Sequence, residues 1–210
     1  MIVAIHGLPT SPALWSRLGL PIDAPNLPGV DDDQPFSIAG LAATLAERVD
    51  ENTVIVGHDL GGPVAALIAS SRPVKALVLS GSALGPYWWM VRSTALPLVQ
   101  RYFYERHAGR KFLRGSVSAA LGDEAVAAFP PVPPARMRAI AQGMRPPPLA
   151  IRCPVHLIWG RRDRWYPPWV AQALGRRFGV AVRWVEGGHL CMWEHPSGFA
   201  AALSSALELP

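Results

Sequence analysis

The chain has 210 residues, half of them hydrophobic, and a formal net charge of +5. That length is enough to bury one α/β core as a single domain, and no apolar run reaches the length of a membrane span. The positive excess is arginine spread along the chain, with neither clustering nor a recognisable nucleic-acid module, so a solvated basic surface is expected rather than a nucleic-acid partner.

Residues 2–5 of Met1-Ile2-Val3-Ala4-Ile5 read as a strand that runs into His6-Gly7-Leu8-Pro9. No basic stretch precedes this strand, so no signal peptide is expected. Cys153 and Cys191 both sit in apolar surroundings, and their placement suggests neither a disulfide nor a metal site, which fits a reduced cytoplasm. Further strands are predicted near 20–24 and at about 53–57, 75–80, 155–159 and 181–185. Helices are predicted at about 37–50, 62–71, 168–178 and 196–207. Strands alternating with helices imply βαβ units and a parallel sheet. Their nearly continuous apolar runs suit strands covered on both faces. The alternation breaks between Leu84 and Pro148, where aromatic clusters, a basic helix-like stretch through Arg114 and proline-rich joints at 130–134 and 146–148 occur.

The richest stretch is Val56-Gly57-His58-Asp59-Leu60-Gly61-Gly62, which follows the apolar run Thr53-Val54-Ile55. Glycines two residues either side of a polar residue let the chain turn sharply from strand to helix and thrust that one side chain above the sheet. This is the nucleophile elbow, with Asp59 where serine is usual. A carboxylate needs no base to be nucleophilic. Attack on an acyl carbon would give an anhydride, with little gained. Attack on an electrophilic sp3 carbon gives an ester that water can cleave. Asp59 therefore points to epoxides or carbon–halogen bonds. Asp163 follows the strand 155–159, and His189 follows 181–185 in the stretch Glu186-Gly187-Gly188-His189. His189 would activate the hydrolytic water, and Asp163 would fix its tautomer. His58 and His195 are read as structural.

In motif order and context, the chain resembles the α/β-hydrolase family, in the short form of its Asp-nucleophile branch (epoxide hydrolases and haloalkane dehalogenases). The resemblance implies a mostly parallel sheet of about six strands, with helices on both faces. It implies a core at 1–83 and 149–210, with a small helical cap at 84–148 over the substrate pocket. The family's usual N-terminal hairpin is absent, which leaves edge protection in question. The backbone N–H groups of Leu8 and Leu60 are the expected oxyanion hole.

The turn from His6 to Trp15 is similar to that of haloalkane dehalogenases. The elbow is similar to those of epoxide hydrolases and fluoroacetate dehalogenases. Leu8 and Leu60, however, lack the side-chain donors that cradle a halide, and Leu60 cannot hold a carboxylate as arginine does. Epoxide hydrolases protonate the opening ring with cap tyrosines, and the cap here offers Tyr87, Tyr102 and Tyr104, with Trp88 as a further substrate-binding residue. Epoxide hydrolysis is the first expectation, and dehalogenation of a haloalkane or haloacid is the second, with Trp88, Trp89 and His107 as halide donors. Lyase, cyclase or receptor chemistry on the same fold stays open. The cap arginines Arg101, Arg106 and Arg110 are read as a solvated face. No cofactor or metal is expected, because there is no dinucleotide fingerprint and no cluster with ligand spacing. The expected partner is a small-molecule substrate, with no membrane partner, and homodimerisation stays open.

Overall fold

The computed structural model describes residues 1–82, 84, 96–100, 110–129, 132–144 and 149–207. Six strands, β1 (Ile2–Ile5), β2 (Ile22–Asp23), β3 (Val54–His58), β4 (Ala76–Ser80), β5 (Val155–Gly160) and β6 (Val182–Val185), form one sheet in the order β2-β1-β3-β4-β5-β6. Every neighbouring pair is parallel. The described residues contain nine α-helices: α1 (Ile38–Leu45), α2 (Gly61–Ser71), α3 (Pro97–Gln100), α4 (Arg110–Ser116), α5 (Gly122–Ala128), α6 (Pro134–Gly143), α7 (Pro168–Phe178), α8 (Cys191–Glu194) and α9 (Pro196–Leu207).

The two-residue period of the strands sorts their side chains between two cores. Val3, Ile5, Ile55, Leu77, Leu79, Leu157 and Trp159 face α1, α2 and α7. Ile2, Ala4, Val54, Val56, Ala76, Val78 and Ile158 face α9 and the short helices around it. Both sets are apolar because both faces are covered, which is why the strands read as unbroken hydrophobic runs.

Helix α1 is shorter than the predicted 37–50. The Ser37 Oγ caps it by accepting the Gly40 N–H at 3.0 Å. It stops at Leu45, tightens into a 3-10 turn over Ala46–Arg48, and goes extended at Val49. Helix α2 starts at Gly61, directly after the elbow. Gly179, at φ +68°, ends α7 in the left-handed conformation that glycine adopts without a Cβ penalty. At the edge, β2 is only two residues long, and Arg48 pairs with Asp23 at 3.0 Å. A short charged edge offers little template for a foreign strand.

The segment joining β4 to β5, expected as a lid, supplies α3 to α6. Leu113, Val117, Ala125 and Phe129 are buried in the α9-side core, and Ile140 is buried in the α2-side core. Part of this segment therefore helps to form the two cores. Among the described residues, no helix is long and apolar enough to cross a membrane.

Candidate functional site

The elbow holds Asp59 at φ +50°, the one non-glycine residue with positive φ among those described. For an L-residue with a Cβ this conformation costs on the order of 1 kcal/mol or more, and such strain gathers at functional positions. It persists because the Asp59 N–H donates to the Ser80 and Gly81 carbonyls at 3.3 and 3.1 Å, and because the flanking backbone is pressed close. A Cβ on Gly61 would lie 2.2 Å from the Ile5 carbonyl oxygen and 2.6 Å from that of His6. Only a residue without a side chain permits helix α2 to start there.

The turn after β1 is shaped by its own polar groups. Thr10 donates to the Gly7 carbonyl through its N–H and its hydroxyl, at 3.0 and 2.8 Å. His6 Nε2 lies 3.1 Å from Asp31 Oδ2, which also accepts the Leu27 N–H at 2.6 Å. So held, the turn aims the Leu8 N–H at Asp59 Oδ2, at 2.8 Å. The Leu60 N–H, next in the chain, also favours the charged form of that carboxyl group. The other oxygen, Oδ1, accepts the Tyr166 hydroxyl at 2.8 Å. Burial pushes the Asp59 carboxyl above the usual carboxylate range; His189, Tyr166 and the two N–H groups oppose that rise without cancelling it.

Asp163 follows β5, with both oxygens engaged. Its Oδ2 accepts from His189 Nδ1 at 2.9 Å, and its Oδ1 accepts the N–H groups of Trp165 and Tyr166, each at 2.9 Å. With Nδ1 the protonated nitrogen, His189 presents the lone pair of Nε2, which has no hydrogen-bond partner among the described residues. Burial pulls the His189 pKa down, but Asp163 and Asp59 outweigh burial and leave it raised. The histidine loop is pinned by Glu194, whose oxygens accept the Gly188 and Ser118 N–H groups at 2.8 and 2.9 Å.

The structure thus brings together Asp59, Asp163, His189 and the backbone of Leu8 and Leu60. Tyr87, Trp88, Trp89, Tyr102, Tyr104, His107, Arg101 and Arg106 lie outside the described residues. Arg110 is exposed. His58, expected to be structural, packs beside the base. Its ring sits 4.5 Å from that of His189, and its Nδ1–H donates to the Ser80 carbonyl at 3.0 Å. Burial, reinforced by His189, holds its pKa well below normal, so it packs as a neutral ring.

Tyr166 was missed. Its direction is set by its own N–H, which donates to Asp163 Oδ1 three residues before it, and no residue pattern records that bond. The Tyr166 ring lies against His189 at 5.3 Å, and Phe112 bridges Trp165 and His189 at 4.3 and 5.7 Å. A groove of about 420 Å³ lined by Gln172, Arg176 and Trp184 contains none of these residues.

An elbow above a parallel sheet, two backbone donors and an acid–histidine pair in this chain order define an α/β hydrolase. The chain belongs to the alpha/beta hydrolase family, whose model matches residues 2–202. It is 27% identical to the pimeloyl-[acyl-carrier protein] methyl ester esterase of Neisseria meningitidis serogroup B over 229 residues, covering 96% of this chain and 86% of that one. It is 37% identical to lipase LipV of Mycobacterium tuberculosis over 97 residues, a match that spans 40% of this chain and only 37% of the lipase. In fold it is similar to a thermophilic esterase from Thermogutta terrifontis (TM-score 0.75, 19% identity, 99% of this chain and 89% of that one). It is also similar to a loop variant of a haloalkane dehalogenase from Bradyrhizobium elkanii (TM-score 0.68, 17% identity, 99% and 88%).

Proposed function

We propose that this hydrolase works through an alkyl ester on Asp59, formed by attack of Oδ1 on an electrophilic sp3 carbon and cleaved by water that His189 activates. The observation that carries the reading is the posture of the carboxylate. Oδ2 already takes the Leu8 N–H at 2.8 Å, in the position where an oxyanion develops when water attacks Cγ. Leu8 and Leu60 then act as the oxyanion hole, and Asp163 holds the His189 tautomer. The esterase relatives act on acyl carbons, where a carboxylate at position 59 would gain only an anhydride.

An epoxide is the substrate class that fits best. Positions 8 and 60 carry leucines, whose side chains have no N–H to hold a departing halide and pack into the α2-side core. Tyr87, Tyr102 or Tyr104 would protonate the opening ring, with the part of the 84–148 segment that carries them acting as the cap. A second reading, dehalogenation, is favoured by one observation. The Trp165 indole N–H is buried without a hydrogen-bond partner among the described residues, and its ring stacks on Phe112 beside His189.

Intact mass of His189→Ala after incubation with styrene oxide and 1-bromobutane tests both. Alkylation does not need the histidine, so an ester should accumulate. A gain equal to the whole epoxide supports the first reading, and a butyl adduct lacking bromine supports the second. Absence of any adduct, or the same adduct on Asp59→Asn, would remove the alkyl-ester reading.

A further inference from the structure

One buried group at the site takes no part in forming the ester or in activating the water. Tyr166 donates its hydroxyl hydrogen to Asp59 Oδ1 at 2.8 Å. Its place is set from three sides. The Tyr166 N–H donates to Asp163 Oδ1 at 2.9 Å, its carbonyl accepts the Trp159 indole N–H at 2.8 Å, and its ring lies against His189. Asp163 therefore does two things at once: Oδ2 orients the base, and Oδ1 fixes the turn that aims the phenol.

The two carboxylate oxygens of Asp59 have different fates on this pathway. Oδ2 stays with Cγ. Oδ1 becomes the ester oxygen on alkylation and leaves with the product when the Cγ–Oδ1 bond breaks. The phenol thus touches the one protein atom that must depart as an alkoxide. It is poorly placed to assist the first step. In-line attack puts the substrate's leaving group on the far side of the carbon from Oδ1, away from Tyr166, and a hydrogen bond to Oδ1 only weakens the nucleophile.

Resting on that reading, we infer that Tyr166 is the general acid of the second half-reaction, giving its proton to Oδ1 as the tetrahedral intermediate collapses. Water adds to Cγ while His189 Nε2 takes one of its hydrogens. Charge collects on Oδ2 against the Leu8 and Leu60 N–H groups. The Cγ–Oδ1 bond breaks, its electron pair stays on Oδ1, and the Tyr166 proton converts the departing alkoxide to the alcohol. The proton taken by His189 restores the phenol, and the second water hydrogen leaves as the new carboxyl group ionises. Asp59 ends with Oδ2 and the oxygen from water. An alkoxide is far more basic than a phenolate, so the transfer is downhill, and a positioned acid of this kind contributes about 10²–10⁴-fold.

The test is single-turnover kinetics on wild type, Tyr166→Phe and His189→Ala with styrene oxide, following the ester by intact mass. In Tyr166→Phe, alkylation should proceed at least as fast as in wild type, while decay of the ester slows by about 10²-fold. Wild-type ester decay should fall at the alkaline pH where phenols ionise, and Tyr166→Phe should lack that limb. A purely structural role would not move the limb. Ester decay in Tyr166→Phe at the wild-type rate, or an unchanged alkaline limb, would overturn the assignment and leave the Asp59 ester standing, provided His189→Ala traps it. No ester in any of the three proteins would remove the underlying reading and this role together.

Discussion

Gly7→Ala isolates the contact on which the candidate oxyanion site depends. A Cβ at position 7 would lie 2.4 Å from Asp59 Cβ, 2.5 Å from Oδ2 and 2.8 Å from Cγ. Rotating Asp59 about χ1 moves the carboxyl but not Cβ, so the overlap of about an ångström against an ordinary carbon contact is relieved only by separating the two backbones. That separation stretches the 2.8 Å bond from Leu8 to Oδ2. Loss of a hydrogen bond to a charged group costs about 1.5–3 kcal/mol of stability. On the proposed pathway the same loss removes a donor worth about 3 kcal/mol in the transition state, or on the order of 10²-fold in turnover. The assay is urea unfolding of wild type, Gly7→Ala, Asp59→Gly and the double variant, with ester decay measured by single turnover in the first two. Because the three nearest atoms all belong to Asp59, Gly7→Ala should cost far less when residue 59 is glycine. An equal cost in both backgrounds, or a Gly7→Ala enzyme within twofold of wild type, would refute the reasoning.

Two further predictions concern the carboxylates. Asp163→Asn should reduce turnover by about 10³–10⁴-fold. If its amide oxygen keeps the Trp165 and Tyr166 N–H groups, its NH₂ faces His189 Nδ1 and forces the tautomer that carries hydrogen on Nε2; pre-steady-state kinetics should show ester formed but not cleaved, and rapid cleavage would contradict this. Asp59→Asn should abolish turnover yet stabilise the fold at neutral pH by about 0.5–2 kcal/mol, the usual scale of a single stabilising substitution. The sign follows from the raised carboxyl. Its stabilising contribution is complete below the ordinary carboxylate range and is lost as pH rises through the folded-state value. The advantage of asparagine should therefore shrink as pH falls, and an advantage that grew in acid would be inconsistent with a destabilised anion. Thermal melts across pH 4–8 measure it.

The sheet and the elbow were legible because their signals are local. Strands covered on both faces are apolar without interruption, and a sharp strand-to-helix turn needs glycine at fixed offsets. Asp163 and His189 were legible by their order after two late strands. Tyr166 was not, because its direction is set by a hydrogen bond from its own backbone to Asp163, and no periodicity records that. The segment from 84 to 148 was read by analogy as a lid. That Leu113, Ala125 and Phe129 are buried in a sheet-face core depends on which neighbours are missing from that face, a tertiary matter. The contact of His58 with His189 was hidden for the same reason.

Gly61 is seated directly on the Ile5 carbonyl. The Leu8 and Leu60 donors come from segments some fifty residues apart, yet main chain rests on main chain between them, with no side chain in the gap. A side chain can change rotamer; a peptide plane seated on a carbonyl cannot. The spacing of the two N–H groups is thereby built into the resting protein, and on the proposed pathway an arriving substrate would spend none of its binding free energy on ordering them.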